Sequence, residues 1–401
     1  MDIAQFKKAS PMAGTLRMDR MAHIWCPGCG IGSEVNSFAE AVKRSGIDPA
    51  KLAVVSGIGC TGRVAGYVDF DSIHTTHGRA IPVATGLKLA RPDMKVVVFS
   101  GEGDLTGIGG NHFIHAARRN MDIVVICNNN FTYGMTGGQV TPTTPGGAIS
   151  STTPFGNHEY PFNLPFLAEA AGATYIARWT SMHSRNLIQS IEEALSRKGF
   201  SFIEVISPCT TLYLRRNRLG DGVDMLQFYQ ENAVLQHGAD TRTLDIDFQS
   251  KIVIGKFVEK DKPDYITALD NRCVKVVGDD YQLYGKTVPE REAEEKAEKE
   301  RIAARRAAAA AEAEAQEKKV AKKAAAPAKK PAAKPAAKKA VATRAPAKKA
   351  AAAKPAAKAA VKKSAAKSAA TAKKVAAKPV AKKAAVKKSA AKPAAKKTTR
   401  K

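Results

Sequence analysis

The sequence predicts an α/β fold: a parallel sheet flanked by helices. Three observations carry that expectation. Short, near-continuous apolar runs rich in β-branched residues each end in Gly, Ser or Asn; helix-period segments separate them; and long polar loops rich in Gly and Thr follow the strands of the central part. Such runs are what strands buried on both faces look like, because helices cover a parallel sheet on either side. In order, the strands are "KLAVVSG" (51–57), "KVVVFSG" (95–101), "DIVVICNNN" (122–130), "ATYIA" (173–177) and "FIEVIS" (202–207). Helices are expected over 34–45, 77–90, 110–119, 164–171 and 185–197. Ligands of such a sheet sit at the carboxyl ends of the strands, and long loops there are usually functional.

The formal net charge of +27 belongs to one end of the chain. Residues 318–401 hold 29 of the 64 Lys and Arg and no Asp or Glu, which leaves 35 basic against 37 acidic residues in 1–317. The charge therefore describes a tail, not a nucleic-acid-binding face on the domain. One domain is expected over 1–288. The following stretch, 289–317, is Ala-rich with charges at i,i+4 spacing and no stripe wide enough for a core, which suits a charged, solvated helix. Residues 318–401 run in loose "KPAAK" and "AAKK" repeats and cannot bury enough apolar surface to offset their chain entropy, so disorder is expected. Six cysteines are too few for a disulfide scaffold, and the first twenty residues lack the apolar run of a signal peptide. No stretch approaches the ~20 apolar residues of a membrane span. A cytoplasmic protein with reduced thiols is expected, which favours metal or catalytic cysteines.

Four cysteines fall where strands end or helices begin: Cys26 and Cys29 in "WCPGCG", Cys60 in "GIGCTGR" and Cys209 in "SPCTT". Cys127 lies within an expected strand and Cys273 in the C-terminal segment, where ordinary packing explains them. The tight pair by itself fits a redox dithiol, half a zinc site or half an iron–sulfur site. A dithiol of the thioredoxin kind needs a strand just before it, and "MDRMAHI" is a poor one. Zinc more often draws its remaining ligands from a second CxxC or a His pair. One pair plus two isolated Gly- or Pro-flanked cysteines suits a cubane gripped from several sides.

The second constellation is "SGEGDLTGIGGNH" (100–112) after one strand and "CNNNFTYGMTGGQVTPTTP" (127–145) after the next. Glu102 and Asn130 are 28 residues apart, enough for one crossover helix and a strand, so an acid and an amide oxygen would meet at neighbouring strand ends. Hard oxygen ligands in that position suit Mg²⁺ when diphosphate and water supply the rest. The glycines let backbone N–H groups approach a diphosphate closely. An acid–Gly–Asn pairing at this interval is the motif of thiamin diphosphate enzymes.

Taken together, these residues resemble the β subunit of the 2-oxoacid:ferredoxin oxidoreductases, most like the 2-oxoglutarate type. The likeness runs from about Arg17 to Tyr284 and rests on "WCPGCG", "GIGC", "HGRA", "IGGNHFIHAARRN", "NNNFTYGMTGGQVTPTTP" and "SPCTTLYLRRN", in family order. It implies a thiamin-diphosphate-binding domain of the diphosphate type and one [4Fe–4S] cluster on Cys26, Cys29, Cys60 and Cys209. By position, Glu102, the Asn130 side chain and the Thr132 carbonyl would hold Mg²⁺. Gly101, Gly103 and Asp104 would line the diphosphate, with Tyr133, Gly134 and Thr136 of "YGMTGGQ". His77 and Gly59 would lie near the cofactor, unless His77 is simply a helix-start residue. Arg63 is a candidate for the substrate carboxylate, its alternative being an idle surface Arg.

The implied reaction is oxidative decarboxylation of 2-oxoglutarate to succinyl-CoA, with coenzyme A as co-substrate and electrons leaving through the cluster to ferredoxin. Pyruvate or another 2-oxoacid is the rival substrate. The family takes its pyrimidine-binding half from an α subunit, so that partner is expected to be obligate. Two features depart from the family. Its usual first metal ligand is Asp, and the extra methylene of Glu102 pushes the carboxylate about 1.5 Å further out, which makes Asp104 a rival ligand. The tail resembles the Lys/Ala/Pro-rich tails of linker histones. A competing reading makes the tail the function, holding DNA, RNA or another polyanion through counterion release.

Overall fold

The computed structural model describes residues 11–284 and six single positions between 293 and 304, all helical. The remainder of the expected helix at 289–317, and the tail at 318–401, lie outside the described residues.

The five expected strands all form, and they run parallel. They are β1 (Leu52–Ser56), β3 (Lys95–Gly101), β4 (Val124–Asn129), β5 (Tyr175–Thr180) and β6 (Ser201–Ile206). The sequence did not announce β2 (Asp71–His74), β7 (Ala233–Leu235) or β8 (Ile252–Glu259). These complete an eight-stranded sheet in the order β2-β1-β3-β4-β6-β5-β8-β7. Only the β5–β8 pair is antiparallel. β2 escapes a search for apolar runs because it is an edge strand, "DSIH", with mostly exposed residues. β5 runs past the expected stop at 177 and takes in Arg178, a charge that breaks the apolar run yet is 1% exposed.

Period-two alternation divides the core between the two faces of the sheet. Val97, Phe99, Val124 and Ile126 join one cluster, while Val96, Val98, Val125 and Cys127 join the other. On the first face lie α1 (Ile31–Ser45) and α5 (Ser184–Ser196); Phe38 of α1 meets Phe99 edge-on with centroids 5.1 Å apart. On the second face lie α2 (Ala80–Ala90), α3 (Gly110–Arg118) and α4 (Leu164–Ala171), with Phe113 edge-on to Phe202 at 5.2 Å. Chemistry at the ends fixes the helices: Asn163 caps α4 by accepting from the Phe166 N–H, and Gly46 at φ +66° ends α1. Beyond β6 come α6 (Gly222–Asn232), opened by an Asp221–Asp224 capping box, and α7 (Tyr265–Val277), capped by Asp264.

Two expected boundaries move in ways that matter for function. α1 starts at Ile31, only two residues after Cys29, so the cysteine loop runs straight into a helix. α2 starts at Ala80 and not at 77, so His77 is not a helix-start residue: it sits in the loop before α2, beside Gly78 at φ +69°. No helix among the described residues is long and apolar enough to cross a membrane.

Candidate functional site

β1, β3, β4 and β6 all deliver their carboxyl ends to the same edge of the sheet, and each continues into a segment singled out in the sequence. β3 leads to Glu102 and then a π-helical turn, Gly103–Ile108. Glu102 is 1% exposed; its Oε2 accepts from the Asn130 N–H at 3.3 Å, while its Oε1 has no hydrogen-bond partner. Burial pushes this carboxyl up to about 7, against the hydrogen bond from the Asn130 backbone. A buried carboxylate oxygen without a partner is costly and marks a place for a cation. The Asn130 Oδ1 accepts from the Thr132 N–H at 3.2 Å, which bends the chain back over Glu102.

Asp104 is also buried, but its oxygens are taken. Oδ2 accepts from the Ser100 hydroxyl at 2.6 Å, and Oδ1 accepts from the Gly78 N–H at 2.7 Å and pairs with His77 Nδ1. A proton held on Nδ1 by this carboxylate leaves Nε2 of a half-exposed ring as its working nitrogen. The His77 ring also stands edge-on to Tyr133, with centroids 6.1 Å apart. Tyr133 donates from its hydroxyl to the Gly103 carbonyl at 3.1 Å, and a Cβ on residue 103 would collide with its ring. Gly103 is therefore required by packing as well as by any ligand. Gly101 has room around it, and Gly59 adopts φ +89° with open space beside it. Thr136 is exposed and spends its hydroxyl on Gln139 Oε1 at 2.6 Å within a local turn. Arg63 is exposed on the turn Thr61–Gly66 that follows Cys60.

The four loop cysteines come near one another beside the loop that carries Asn130. Cys26 Sγ lies 3.9 Å and Cys209 Sγ 3.6 Å from the same hydroxyl, that of Thr211. Burial pushes Cys29 up to about 11, with Glu34, Cys26 and Cys60 adding to the rise; burial also raises Cys60, followed by Cys209 and Cys26. Cys29 and Cys60 thus each feel other members of the set, and ligand binding there would displace their protons. Trp25 of "WCPGCG" fixes the pair by donating from Nε1 to the Cys60 carbonyl at 2.8 Å. Gly30, at φ +85°, leaves no space for a side chain against Ser207. Cys127 is fully buried in β4 and Cys273 lies on α7, both apart from the set. Among the described residues, no three His, Cys, Asp or Glu side chains are close enough to hold a single metal ion.

Two contacts join the halves of the site. The Cys209 N–H donates to the Asn130 carbonyl at 3.2 Å. A Cβ on Gly134, which the sequence had assigned to the cofactor, would touch both Cys209 Sγ and Cys60 Sγ, at 3.6 and 3.8 Å. Several site residues were missed from sequence: Ser100, Gly78 and Thr211. Each is a small residue within two positions of a flagged one, and only the folded chain turns it toward its partner.

Known proteins resemble this chain in sequence and fold. A family model described as thiamine pyrophosphate enzyme, C-terminal TPP binding domain, matches residues 38–205. The 2-oxoglutarate synthase subunit KorB of Methanothermobacter thermautotrophicus is 50% identical over 258 residues, 64% of this chain and 90% of that protein. KorB of Methanocaldococcus jannaschii is 49% identical over 266 residues, covering 66% and 98%. A solved structure of 2-oxoglutarate:ferredoxin oxidoreductase from Magnetococcus marinus, with 2-oxoglutarate, coenzyme A and succinyl-CoA bound, superposes with a TM-score of 0.60 at 31% identity, over 68% of this chain and 92% of that one. The chain belongs to the β subunits of the 2-oxoacid:ferredoxin oxidoreductases, thiamin-diphosphate-dependent enzymes that work with an α subunit.

Proposed function

We propose that this chain, with its α subunit, oxidatively decarboxylates 2-oxoglutarate to succinyl-CoA and passes the electrons through a [4Fe–4S] cluster to ferredoxin. The observation that carries this is the contact between the two half-sites. The amide of Cys209 bonds the carbonyl of Asn130, and Gly134 of the metal loop packs on two of the cysteines. A thiamin enzyme that only decarboxylates has no use for four thiols against its metal loop; one that must remove electrons does. The substrate follows from the relatives, named for 2-oxoglutarate, and from the related structure that holds 2-oxoglutarate and both coenzyme A species.

In this reading Glu102, the Asn130 side chain and the Thr132 carbonyl hold Mg²⁺, and the unpartnered Glu102 Oε1 supports Glu102 over Asp104, whose oxygens are already engaged. Glycines 101 and 103 leave the backbone open to a diphosphate, with Tyr133 fixing the turn. Bound thiamin diphosphate supplies the carbanion chemistry; the chain supplies position, electrostatics and an electron exit. His77, oriented by Asp104, offers Nε2 to hold or move a proton near the reacting carbonyl. Arg63, exposed on the turn after Cys60, would meet a substrate carboxylate. Four thiolates on one zinc ion, each about 2.3 Å from it, would crowd within roughly 4 Å of one another. Four thiols drawn from one tight pair and two separate loops favour a cubane, which fills the space between its ligands. A reducing, cytoplasmic setting suits such a cluster. The histone-like tail carries none of this chemistry and is read as a polyanion-binding extension.

The test is to purify the chain with its α subunit, count iron and sulfide, and assay a panel of 2-oxoacids with coenzyme A and ferredoxin. The expected result is four irons per chain and kcat/KM for 2-oxoglutarate at least about tenfold above that for pyruvate, a gap of roughly 1.4 kcal/mol. A preference for pyruvate would replace the substrate, and an iron-free active complex would remove the redox reading.

A further inference from the structure

The end of β4 reads Asn128, Asn129, Asn130, and each of the three meets a different glutamate. The Asn130 N–H donates to Glu102, the Asn129 Nδ2 donates to Glu204 Oε1 at 2.7 Å, and the Asn128 Nδ2 donates to Glu34. Only the first of these contacts belongs to the metal loop as described so far. The second opens a longer path. Glu204, in β6, is fully buried, and its other oxygen accepts from Arg178 Nε at 2.7 Å. Arg178, in β5, is 1% exposed and spends Nη1 on the Leu244 carbonyl at 2.8 Å.

From Asn129 the path continues into the loop that follows β4. Its Oδ1 accepts from the Thr143 hydroxyl at 2.9 Å and from the Phe131 N–H at 3.4 Å. Thr144 donates to the Phe131 carbonyl at 2.8 Å and accepts from the Thr141 N–H at 2.8 Å. The Thr143 and Thr141 hydroxyls lie 3.4 Å apart. A line of buried side chains therefore runs from Arg178 through Glu204 and Asn129 to Thr143, and from Asn129 the chain leads directly into the Asn130 N–H that bonds Glu102.

Stability alone is a poor reason for this line. Taking an Arg and a Glu out of water costs several kcal/mol per ion, and well-packed apolar residues commonly do as well. What a doubly bonded carboxylate does supply is direction. It fixes which way the Asn129 amide faces, and that leaves Oδ1 as the anchor for the returning loop. Mg²⁺ tolerates little departure from octahedral geometry, and a Glu in place of the shorter Asp makes loop placement more demanding here.

We propose that Arg178, Glu204, Asn129 and Thr143 are positioning residues that hold the 130–144 loop against Glu102 at the spacing a divalent cation needs. The proposal rests on the metal-loop reading above, and the experiment separates the two. In the purified complex with the α subunit, the Mg²⁺ concentration for half-maximal thiamin diphosphate binding is measured by near-ultraviolet circular dichroism, alongside Tm. Thr143→Val keeps the shape and the Arg178–Glu204 pair but removes the hydroxyl. It is expected to raise half-saturating Mg²⁺ about fivefold, the loss of one hydrogen bond, with Tm within about 2 °C of wild type. Thr143→Ser should restore wild-type Mg²⁺ dependence. Glu102→Ala, which removes the metal ligand itself, should abolish Mg²⁺-dependent binding. Wild-type Mg²⁺ dependence in Thr143→Val, or a loss that simply tracks a lowered Tm, overturns the positioning role while leaving the metal loop intact. Undiminished Mg²⁺-dependent binding in Glu102→Ala overturns the metal-loop reading and the positioning role with it.

Discussion

Glu34 shows how a single side chain can carry a pH dependence through this fold. It lies on the first turn of α1, five residues after Cys29, and is 1% exposed. One oxygen accepts from Asn128; the other, and Asn128 Oδ1, are left without partners. Protonating the carboxyl supplies the missing donor, and burial pushes its pKa from 4.5 to about 8. The native state therefore binds a proton that the unfolded chain has lost, so this contribution to stability is complete below pH 4.5 and disappears as pH rises to about 8. Groups facing Glu34 act in the same direction: Cys29, Cys127 and Tyr229 all interact with it unfavourably when charged. A Gln amide donates where the acid proton did. Glu34→Gln is thus expected to match wild type near pH 5 and to exceed its Tm by several degrees at pH 9; thermal scans across that range check it, and parallel curves would show Glu34 ionised throughout. The sequence put Glu102 ahead of Asp104 as the metal ligand, but the bonds that distinguish the two carboxylates come from Ser100, Gly78 and Asn130 in the folded loops and were not legible there.

At the scale of elements, the cysteines sort themselves by what carries them. Cys26, Cys29, Cys60 and Cys209 ride on loops that leave or enter helices, where backbone can bend until thiols converge, whereas Cys127 is locked into β4 and Cys273 into α7. Replacing each by Ser and measuring iron per chain in the complex should therefore divide the six. The four loop variants lose most of their iron, and Cys127→Ser and Cys273→Ser keep it; full iron in Cys60→Ser would break the assignment. The strands that support these loops were readable because each is a buried parallel run, and their carboxyl ends located the site. β2 and β7 were not readable. Both are short edge strands with mostly exposed residues, whereas β8, "IVIGKFVE", is largely buried and apolar and was simply passed over. The extension of β5 through Arg178 was hidden for a different reason: its charge is tolerable only because Glu204 lies beside it in β6.

For the whole molecule, charge and completeness of the site lead to two different outcomes. Residues 11–284 contain every proposed ligand, and 318–401 contribute only basic charge. Cutting the chain before Lys318 should leave turnover of the complex with its ferredoxin unchanged while abolishing salt-sensitive binding to DNA or RNA. A truncated enzyme that loses turnover at low salt would instead show the tail steering an acidic electron carrier. Removing the α subunit should have the opposite effect. Thiamin diphosphate needs a metal loop at its diphosphate end and a carboxylate facing its aminopyrimidine. The single sheet described here supplies the first, at the edge where β3 and β4 end. The described residues hold no second parallel unit to supply the other, and sites of this kind commonly form between domains or subunits. The isolated chain is therefore expected to retain its iron, bind the cofactor weakly and turn over no 2-oxoacid, and adding the α subunit should restore binding and turnover together. Sustained turnover by the chain alone, shown by mass spectrometry to be free of partner, would mean that its own residues complete the pyrimidine side.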